Sequence, residues 1–294
     1  MSRHKTPLRY PGGKQKLAPF IHEVMETNNL VGGDYAEPYA GGAGVAMELL
    51  LAGRVARVHL NDSSKAIHAF WHSVLNDPKT FCRRIRSASL TIDEWRRQKE
   101  ILNHPTEVDQ LDLGFSLFYL NRCNRSGIPS AGVIGGLKQE GKWKIDARFP
   151  RNELITRIEA IAAKKKLITL KNWDAEKFIR EHVPTLPKKS LVYCDPPYFN
   201  KASRLYLDHY RPDDHARIAK VIQKNLHRPW LVSYDGVPEI LGFYSERQSF
   251  LYDLQYNAGA VYKGREVFVF SDKLKIPQQS VIPAVEFALK ERAA

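Results

Sequence analysis

Tyr35-Ala36-Glu37-Pro38-Tyr39-Ala40-Gly41-Gly42-Ala43-Gly44 is the stretch on which the fold turns. Tyr35 to Tyr39 reads as a short strand, the glycines as a tight turn, and Val45 to Leu51 as the helix that follows. Arg57 to Leu60 is a second strand ending at Asn61-Asp62, with another helix from Ser63 onward. Strand, glycine-rich turn, helix, strand and acid, in that order, open a nucleotide-binding βαβ unit. The glycines let backbone approach a nucleoside closely. Asp62 lies 20 residues beyond Gly42, a spacing that suits ribose hydroxyls. Met47 stands where the third glycine of the dinucleotide fingerprint would be, which disfavours a pyrophosphate cofactor and leaves an adenosine ligand without phosphates open. Gly12-Gly13-Lys14 is not a phosphate loop, because the first glycine is missing and Gln15 replaces the Ser or Thr that would hold magnesium.

On the N-terminal side, Leu17, Phe20, Ile21 and Val24 give Gln15 to Asn29 a helical period. On the other side the pattern stays helical from about 63 to 122. Asn121 to Arg151 is loop-like, with Gly132 to Leu137 and Lys142 to Ile145 expected to pair as a hairpin. Alternation returns with strands at Leu167 to Leu170, Leu191 to Cys194 and Leu231 to Tyr234, and helices at Ala175 to His182 and Ala216 to Asn225. Gln248 to Tyr256 and Glu266 to Phe270 are expected as antiparallel strands. The whole reads as one α/β sheet with helices on both faces, split by a mostly helical insertion. The expected division is 1–62 with 167–294 as the sheet domain, and 63–166 as the insertion.

The 294 residues carry a net charge of +13, which calls for a polyanionic partner or an anionic surface. No apolar run approaches the roughly 20 residues that span a bilayer, so nucleic acid is the better partner and a cytoplasmic location is expected. The charge is focused: residues 121–151 hold seven Lys or Arg against two acids, a net +5. Cys82, Cys123 and Cys194 are too far apart for a metal-binding pair, and His68 and His72 stand alone, so neither metal nor disulfide is expected.

Leu191-Val192-Tyr193-Cys194-Asp195-Pro196-Pro197-Tyr198 is the strongest local signal. An apolar strand ends in an acid, two prolines and an aromatic, at the end of a strand where ligands gather in open α/β sheets. The prolines fix φ and remove two N–H donors, leaving a stiff loop of acceptors. Such a loop suits an aromatic amine whose lone pair is delocalised into its ring. Asp195 carboxylate and the Pro196 carbonyl can accept its two hydrogens, and the Tyr198 ring can stack on the base.

Pro11-Gly12-Gly13-Lys14, Glu37-Pro38-Tyr39-Ala40-Gly41-Gly42, Asn61-Asp62, Tyr119-Leu120-Asn121-Arg122 through Gly127, and Asp195-Pro196-Pro197-Tyr198, in that order, resemble the Dam-type (D12 class) adenine-N6 DNA methyltransferases. The resemblance covers nearly the whole chain. It implies a Rossmann-like fold dependent on S-adenosylmethionine, with 63–166 as a target-recognition insertion and double-stranded DNA as substrate. By the same resemblance Lys14, next to Gly13, meets the methionine carboxylate of the cofactor and Tyr10 lies beside it. The turn Glu37, Pro38, Tyr39, Ala40, Gly41 and Gly42 cradles the cofactor, Asp62 takes its ribose, and Asp174 lies near its adenine. Asp174 reads equally as a helix N-cap before Ala175. The catalytic loop is Asp195, Pro196, Pro197 and Tyr198. In the insertion, Arg122, Arg125, Gly127, Lys138, Lys142, Lys144 and Arg148 are the candidates for DNA contacts. Members that recognise GATC carry an aromatic and an asparagine before the glycine; Arg125 and Ser126 stand here, so that target is not implied. A restriction endonuclease partner is compatible with the family.

Three other readings compete. RNA adenine or cytosine N4 are alternative substrates for the same reaction, though cytosine N4 enzymes more often carry Ser where Asp195 stands. A catalytically silent nucleic-acid-binding protein would have no reason to keep both Lys14 and the complete Asp195 loop. A nucleotide hydrolase fails on the missing phosphate loop.

Overall fold

The computed structural model describes residues 5–9, 14–199, 210–258, 260–277 and 288–289. Five parallel strands form one side of a single sheet: β1 (Asp34–Glu37), β2 (Arg57–Asn61), β3 (Ile168–Lys171), β4 (Ser190–Cys194) and β5 (Trp230–Asp235). Two long antiparallel strands, β6 (Ser249–Ala258) and β7 (Ala260–Phe270), complete it, with the two-residue β8 (Ala288–Leu289) beside β6. The order is β3-β2-β1-β4-β5-β7-β6-β8. This is the expected α/β sheet, with the last two long strands antiparallel as the sequence implied.

Each central strand is buried on both faces, and its residues alternate between two cores. Tyr35, Leu191, Tyr193, Leu231, Phe268 and Phe270 point into one. Ala36, Val192, Cys194, Val232, Val267 and Val269 point into the other. The first core takes α1 (Ala18–Thr27) and α2 (Gly44–Leu51) together with the insertion's helices α3 (Lys65–Asn76), α4 (Pro78–Ser87), α5 (Ile92–Asn103), α6 (Gln110–Cys123) and α7 (Arg151–Ala162). Four of these start where local chemistry demands: Ser64, Asp77, Thr91 and Asp109 each accept a backbone N–H of the first turn. Phe70, Trp71, Phe81, Phe115 and Phe118 are buried in that same cluster, each adding about 1.5–3 kcal/mol by leaving water. The insertion thus shares one continuous core with the sheet. The second core is closed by the helix Pro212–Asn225 and by the short helix α8 (Ala175–Lys177), which runs into a π turn at Phe178–His182.

The hairpin expected between Gly132 to Leu137 and Lys142 to Ile145 is not formed. Gln139 replaces its ladder. The Gln139 amide donates to the carbonyls of Ile134 (2.8 Å) and Gly136 (2.6 Å) and accepts from Ile145 N–H (2.8 Å). Gly135 and Gly136 at φ +87° and +75° bend the backbone around that side chain into turns no strand can adopt. Among the described residues, no helix is long and apolar enough to cross a membrane, and no group of three His, Cys, Asp or Glu side chains is arranged to hold a metal. Cys82, Cys123 and Cys194 are free and buried.

Candidate active site

The chain leaves β1 toward β2 on one side and takes up β4 and β5 on the other, so the direction of winding reverses between β1 and β4. Such a switch point opens a crevice at the carboxyl ends of the two strands. Asp34 pairs with Ser190 and Ala36 with Val192, a register that brings the Glu37-to-Gly42 turn beside Asp195.

Asp195 is held through one oxygen. Its Oδ1 accepts from Ser233 Oγ at 2.6 Å and pairs with Lys14 Nζ at 3.2 Å. The Ser233 hydroxyl is itself 2.7 Å from Tyr193 Oη. Among the described residues no hydrogen bond is made to Oδ2, and the side chain is 23% exposed. The carboxylate is therefore fixed in orientation with one oxygen left to accept a hydrogen from outside. Pro196 is buried and Pro197 partly so. Tyr198 is 3% exposed; its hydroxyl donates to Glu266 at 2.8 Å and Lys14 lies 5.5 Å from its ring centroid. A base can stack on this ring only after neighbouring side chains open.

Lys14 also meets Glu266 at 2.6 Å and Ser233 Oγ at 3.3 Å. Burial works against its charge, but Asp195 and Glu266 outweigh that and hold the Lys14 pKa well above the usual lysine range.

The turn after β1 is braced from three sides. Gly41 N–H donates to Asp62 Oδ2 at 2.8 Å, and Asp62 Oδ1 accepts from Ser64 N–H at 3.0 Å. The Trp71 indole, from the insertion's first helix, donates to Gly41 carbonyl at 2.9 Å. Thr6 Oγ1 reaches Gly42 carbonyl at 2.5 Å. Asn61 ties this turn to the one after β3: its amide donates to the carbonyls of Pro38 and Trp173 and accepts from Trp173 N–H, each at 3.0 Å. Ala40 N–H adds a bond to Asn61 carbonyl at 2.8 Å. Gly41 (φ +45°) and Ala43 (φ +44°) both take the left-handed conformation; for alanine that is strained, a feature concentrated at functional turns. Glu37 is buried, with Oε1 accepting from Tyr35 Oη and Ala46 N–H, both at 3.1 Å. Burial pushes its carboxyl up to about 8. Tyr39 Oη lies 3.0 Å from Tyr210 Oη. Asp174 is exposed and caps α8 by accepting from Glu176 N–H at 2.8 Å. Tyr10 and Gly13 lie outside the described residues.

The basic loop divides. Arg125, Lys138, Lys142, Lys144 and Arg148 are exposed. Arg122 is not: at 6% exposure its Nε donates to the carbonyl of Arg148 at 2.6 Å. Burial, with Arg9, Arg157 and Arg148 nearby, lowers its pKa to about 9. The reason is that α6 is buried all round near its end, so Arg122 is a strut for the loop and not a surface charge. Gly127 is buried as well; a Cβ there would meet Arg9 carbonyl at 2.7 Å, so the close approach of Arg9 requires a glycine. Asn121 locks that contact, accepting from Arg9 N–H (2.7 Å) and donating to the carbonyls of Arg9 (2.6 Å) and Gly127 (2.7 Å). Lys142 and Trp143 lie together, with the ammonium 5.9 Å from the indole centroid.

Ser233, Glu266, Trp71 and Gln139 carry much of this geometry, and the sequence alone did not point to them. A signal existed for two. Ser233 interrupts the apolar strand Leu231-Val232-Ser233-Tyr234, and Glu266 precedes Val267-Phe268-Val269-Phe270; a polar group in a fully buried strand needs a partner.

A sequence model of the family described as D12 class N6 adenine-specific DNA methyltransferase matches residues 10–257. That span takes in Lys14, the turn after β1, the whole insertion and the Asp195 loop. Among solved structures, the rRNA methyltransferase aviRa from Streptomyces viridochromogenes superimposes with a TM-score of 0.38 at 13% identity, covering 90% of this chain and 87% of that chain. No curated protein matches the chain.

Proposed function

Because the chain belongs to the D12 class N6 adenine-specific DNA methyltransferases, we propose that it methylates the N6 amine of adenine in duplex DNA, with S-adenosylmethionine as donor. The observation that carries the reading is the half-anchored Asp195. Ser233 and Lys14 take Oδ1, and the carboxylate stands at the end of β4 in the switch-point crevice. Asp195 Oδ2 and the Pro196 carbonyl accept the two amine hydrogens, drawing the nitrogen toward tetrahedral geometry and releasing its lone pair. Holding amine and methyl in line supplies most of the acceleration.

The residues around the β1 turn fit an adenosine-bearing cofactor. Gly41 and Ala43 bend the backbone away, Asp62 and Trp71 hold it there, and Gly12-Gly13-Lys14-Gln15 lacks the phosphate-loop pattern in sequence. Tyr10, Gly13, Lys14, the turn from Glu37 to Gly42, Asp62 and Asp174 are the residues that would hold S-adenosylmethionine, which when bound supplies an activated methyl group. Lys14 faces two carboxylates of the protein, so it reaches a ligand carboxylate by sharing its charge.

A base within a duplex is out of reach, so the target is flipped out at a cost of a few kcal/mol, offset in part by about 1–3 kcal/mol of stacking on Tyr198. Arg125, Lys138, Lys142, Lys144 and Arg148 offer the exposed charge for phosphates and base edges. The test is methyl transfer by the wild type and by Asp195→Ala to adenine-containing duplex DNA, with wild-type transfer to RNA of the same sequence in parallel. Transfer by the variant should be abolished while cofactor affinity stays within about tenfold, roughly 1.4 kcal/mol. Near-normal turnover by the variant would overturn the assignment, and wild-type transfer to RNA alone would reassign the substrate.

A further inference from the structure

Glu266 belongs to none of the loops that carry the proposed reaction, yet it touches two of their residues. It lies on β7, directly opposite Tyr252 in the register of β6 and β7, and is 1% exposed. Its Oε1 accepts from Tyr198 Oη at 2.8 Å. Its Oε2 accepts from Tyr252 Oη at 2.6 Å and from Lys14 Nζ at 2.6 Å. We infer that Glu266 is a positioning residue for methyl transfer, holding the Tyr198 ring and drawing Lys14 off Asp195 so that the catalytic carboxylate remains an acceptor.

Two carboxylates compete for one ammonium. Lys14 sits 2.6 Å from Glu266 but 3.2 Å from Asp195, so the buried acid holds it closer. Among the described residues, Lys14 is the one ammonium that both carboxylates share. A buried carboxylate is costly unless paired and hydrogen-bonded, and Glu266 is supplied with both. Without the Glu266 charge, Asp195 would be the carboxylate left to Lys14 among the described residues, and the ammonium would close on it. The acceptor for the amine would then be half of a tight ion pair, with a positive charge beside the nitrogen that must itself become positive. Methyl transfer forms the N–C bond from the nitrogen lone pair, returns the broken S–C pair to sulfur, and passes one amine proton to the Asp195 carboxylate and on to solvent. Positive charge thus moves from sulfur to nitrogen, and a carboxylate not closed upon by Lys14 favours its arrival there.

The inference rests on the assignment of Asp195 to the amine, and the experiment separates the two. Glu266→Gln keeps the shape and one acceptor but removes the charge, whereas Glu266→Asp keeps the charge on a shorter stem. Single-turnover transfer to duplex DNA should fall roughly 10–100-fold in Glu266→Gln, as removal of charge-assisted bonds implies. KM for DNA should stay within about twofold, because the buried side chain meets no DNA. Glu266→Asp should recover part of the rate. Tyr198→Phe, which keeps the ring and removes its tether to Glu266, should show a smaller fall, and it reports on the arrangement even where a Glu266 variant does not fold. Wild-type turnover in both Glu266→Gln and Tyr198→Phe would overturn the inference. So would Glu266→Asp slower than Glu266→Gln with Tm falling in step, since that order means packing alone. Activity retained by Asp195→Ala would instead point to failure of the underlying assignment.

Discussion

The buried Glu37 should impose a pH dependence on stability that Glu37→Gln removes. Burial is the largest influence on this carboxyl and raises its pKa from the ordinary 4.5 to about 8; the bonds from Tyr35 and Ala46 pull the other way, and Asp195 adds a further push upward. The folded protein therefore keeps this proton through a range where the unfolded chain has lost it. Stability from this group is intact below about pH 4.5, declines as pH rises, and levels off above about pH 8. The gap between 4.5 and about 8, at about 1.36 kcal/mol per unit, sets a ceiling on the order of 5 kcal/mol. Relaxation around the ionised group should bring the observed decline to roughly half of that. Glutamine accepts from the same two donors and never ionises. Urea unfolding of cofactor-free wild type and Glu37→Gln, followed from about pH 5 to about pH 9, gives a difference in which every other titrating group cancels. The variant should gain steadily on the wild type as pH rises. A difference that does not change with pH would mean that Glu37 is already ionised in the fold, and the reasoning from burial would be refuted.

Arg122→Gln and the double change Lys142→Ala with Lys144→Ala should part company. The first gives up a buried bond to Arg148 and about 1.5–3 kcal/mol of stability with the salt dependence of DNA binding unchanged; the second keeps its stability and flattens that dependence by about 0.9 for each phosphate it no longer neutralises, and equal slopes in all three proteins would remove the lysines from the phosphates. Gln139→Ala strips the three amide bonds that shape residues 134–145, at about 1 kcal/mol each, and should expose that loop to hydrogen exchange and to protease; wild-type protection would show that the glycine turns hold it unaided.

The strands were legible because a strand buried on both faces reads as an unbroken apolar run. Leu191 to Cys194 and Leu231 to Tyr234 each fall within one residue at either end of β4 and β5. One helix start was legible too: the helix expected from Ser63 onward begins at Lys65, capped by Ser64. Arg122 was misplaced for the complementary reason. From Leu113 to Cys123 every residue of α6 is buried, so the helix has no polar face near its end to say where the surface begins. The hairpin failed because Gln139, an ordinary polar residue in sequence, supplies hydrogen bonds that a ladder would otherwise make.

The glycine-rich turn, the acid after β2 and the Asp195 loop are each readable as short motifs, since residue type and spacing along the chain are enough to mark them. Those motifs determine a switch-point α/β sheet and a loop of acceptors at its rim. Which partners complete the loop is a matter of sidedness and register. Ser233 reaches Asp195 only because β5 lies beside β4. Glu266 reaches Lys14 and Tyr198 only because β7 folds back antiparallel against β5 and turns that residue toward the same face as Tyr252. Residues separated by 252 positions, as Lys14 and Glu266 are, leave no periodic trace of their contact. Hydrophobic alternation fixes which face a strand buries, and only the packed sheet decides which polar groups meet there.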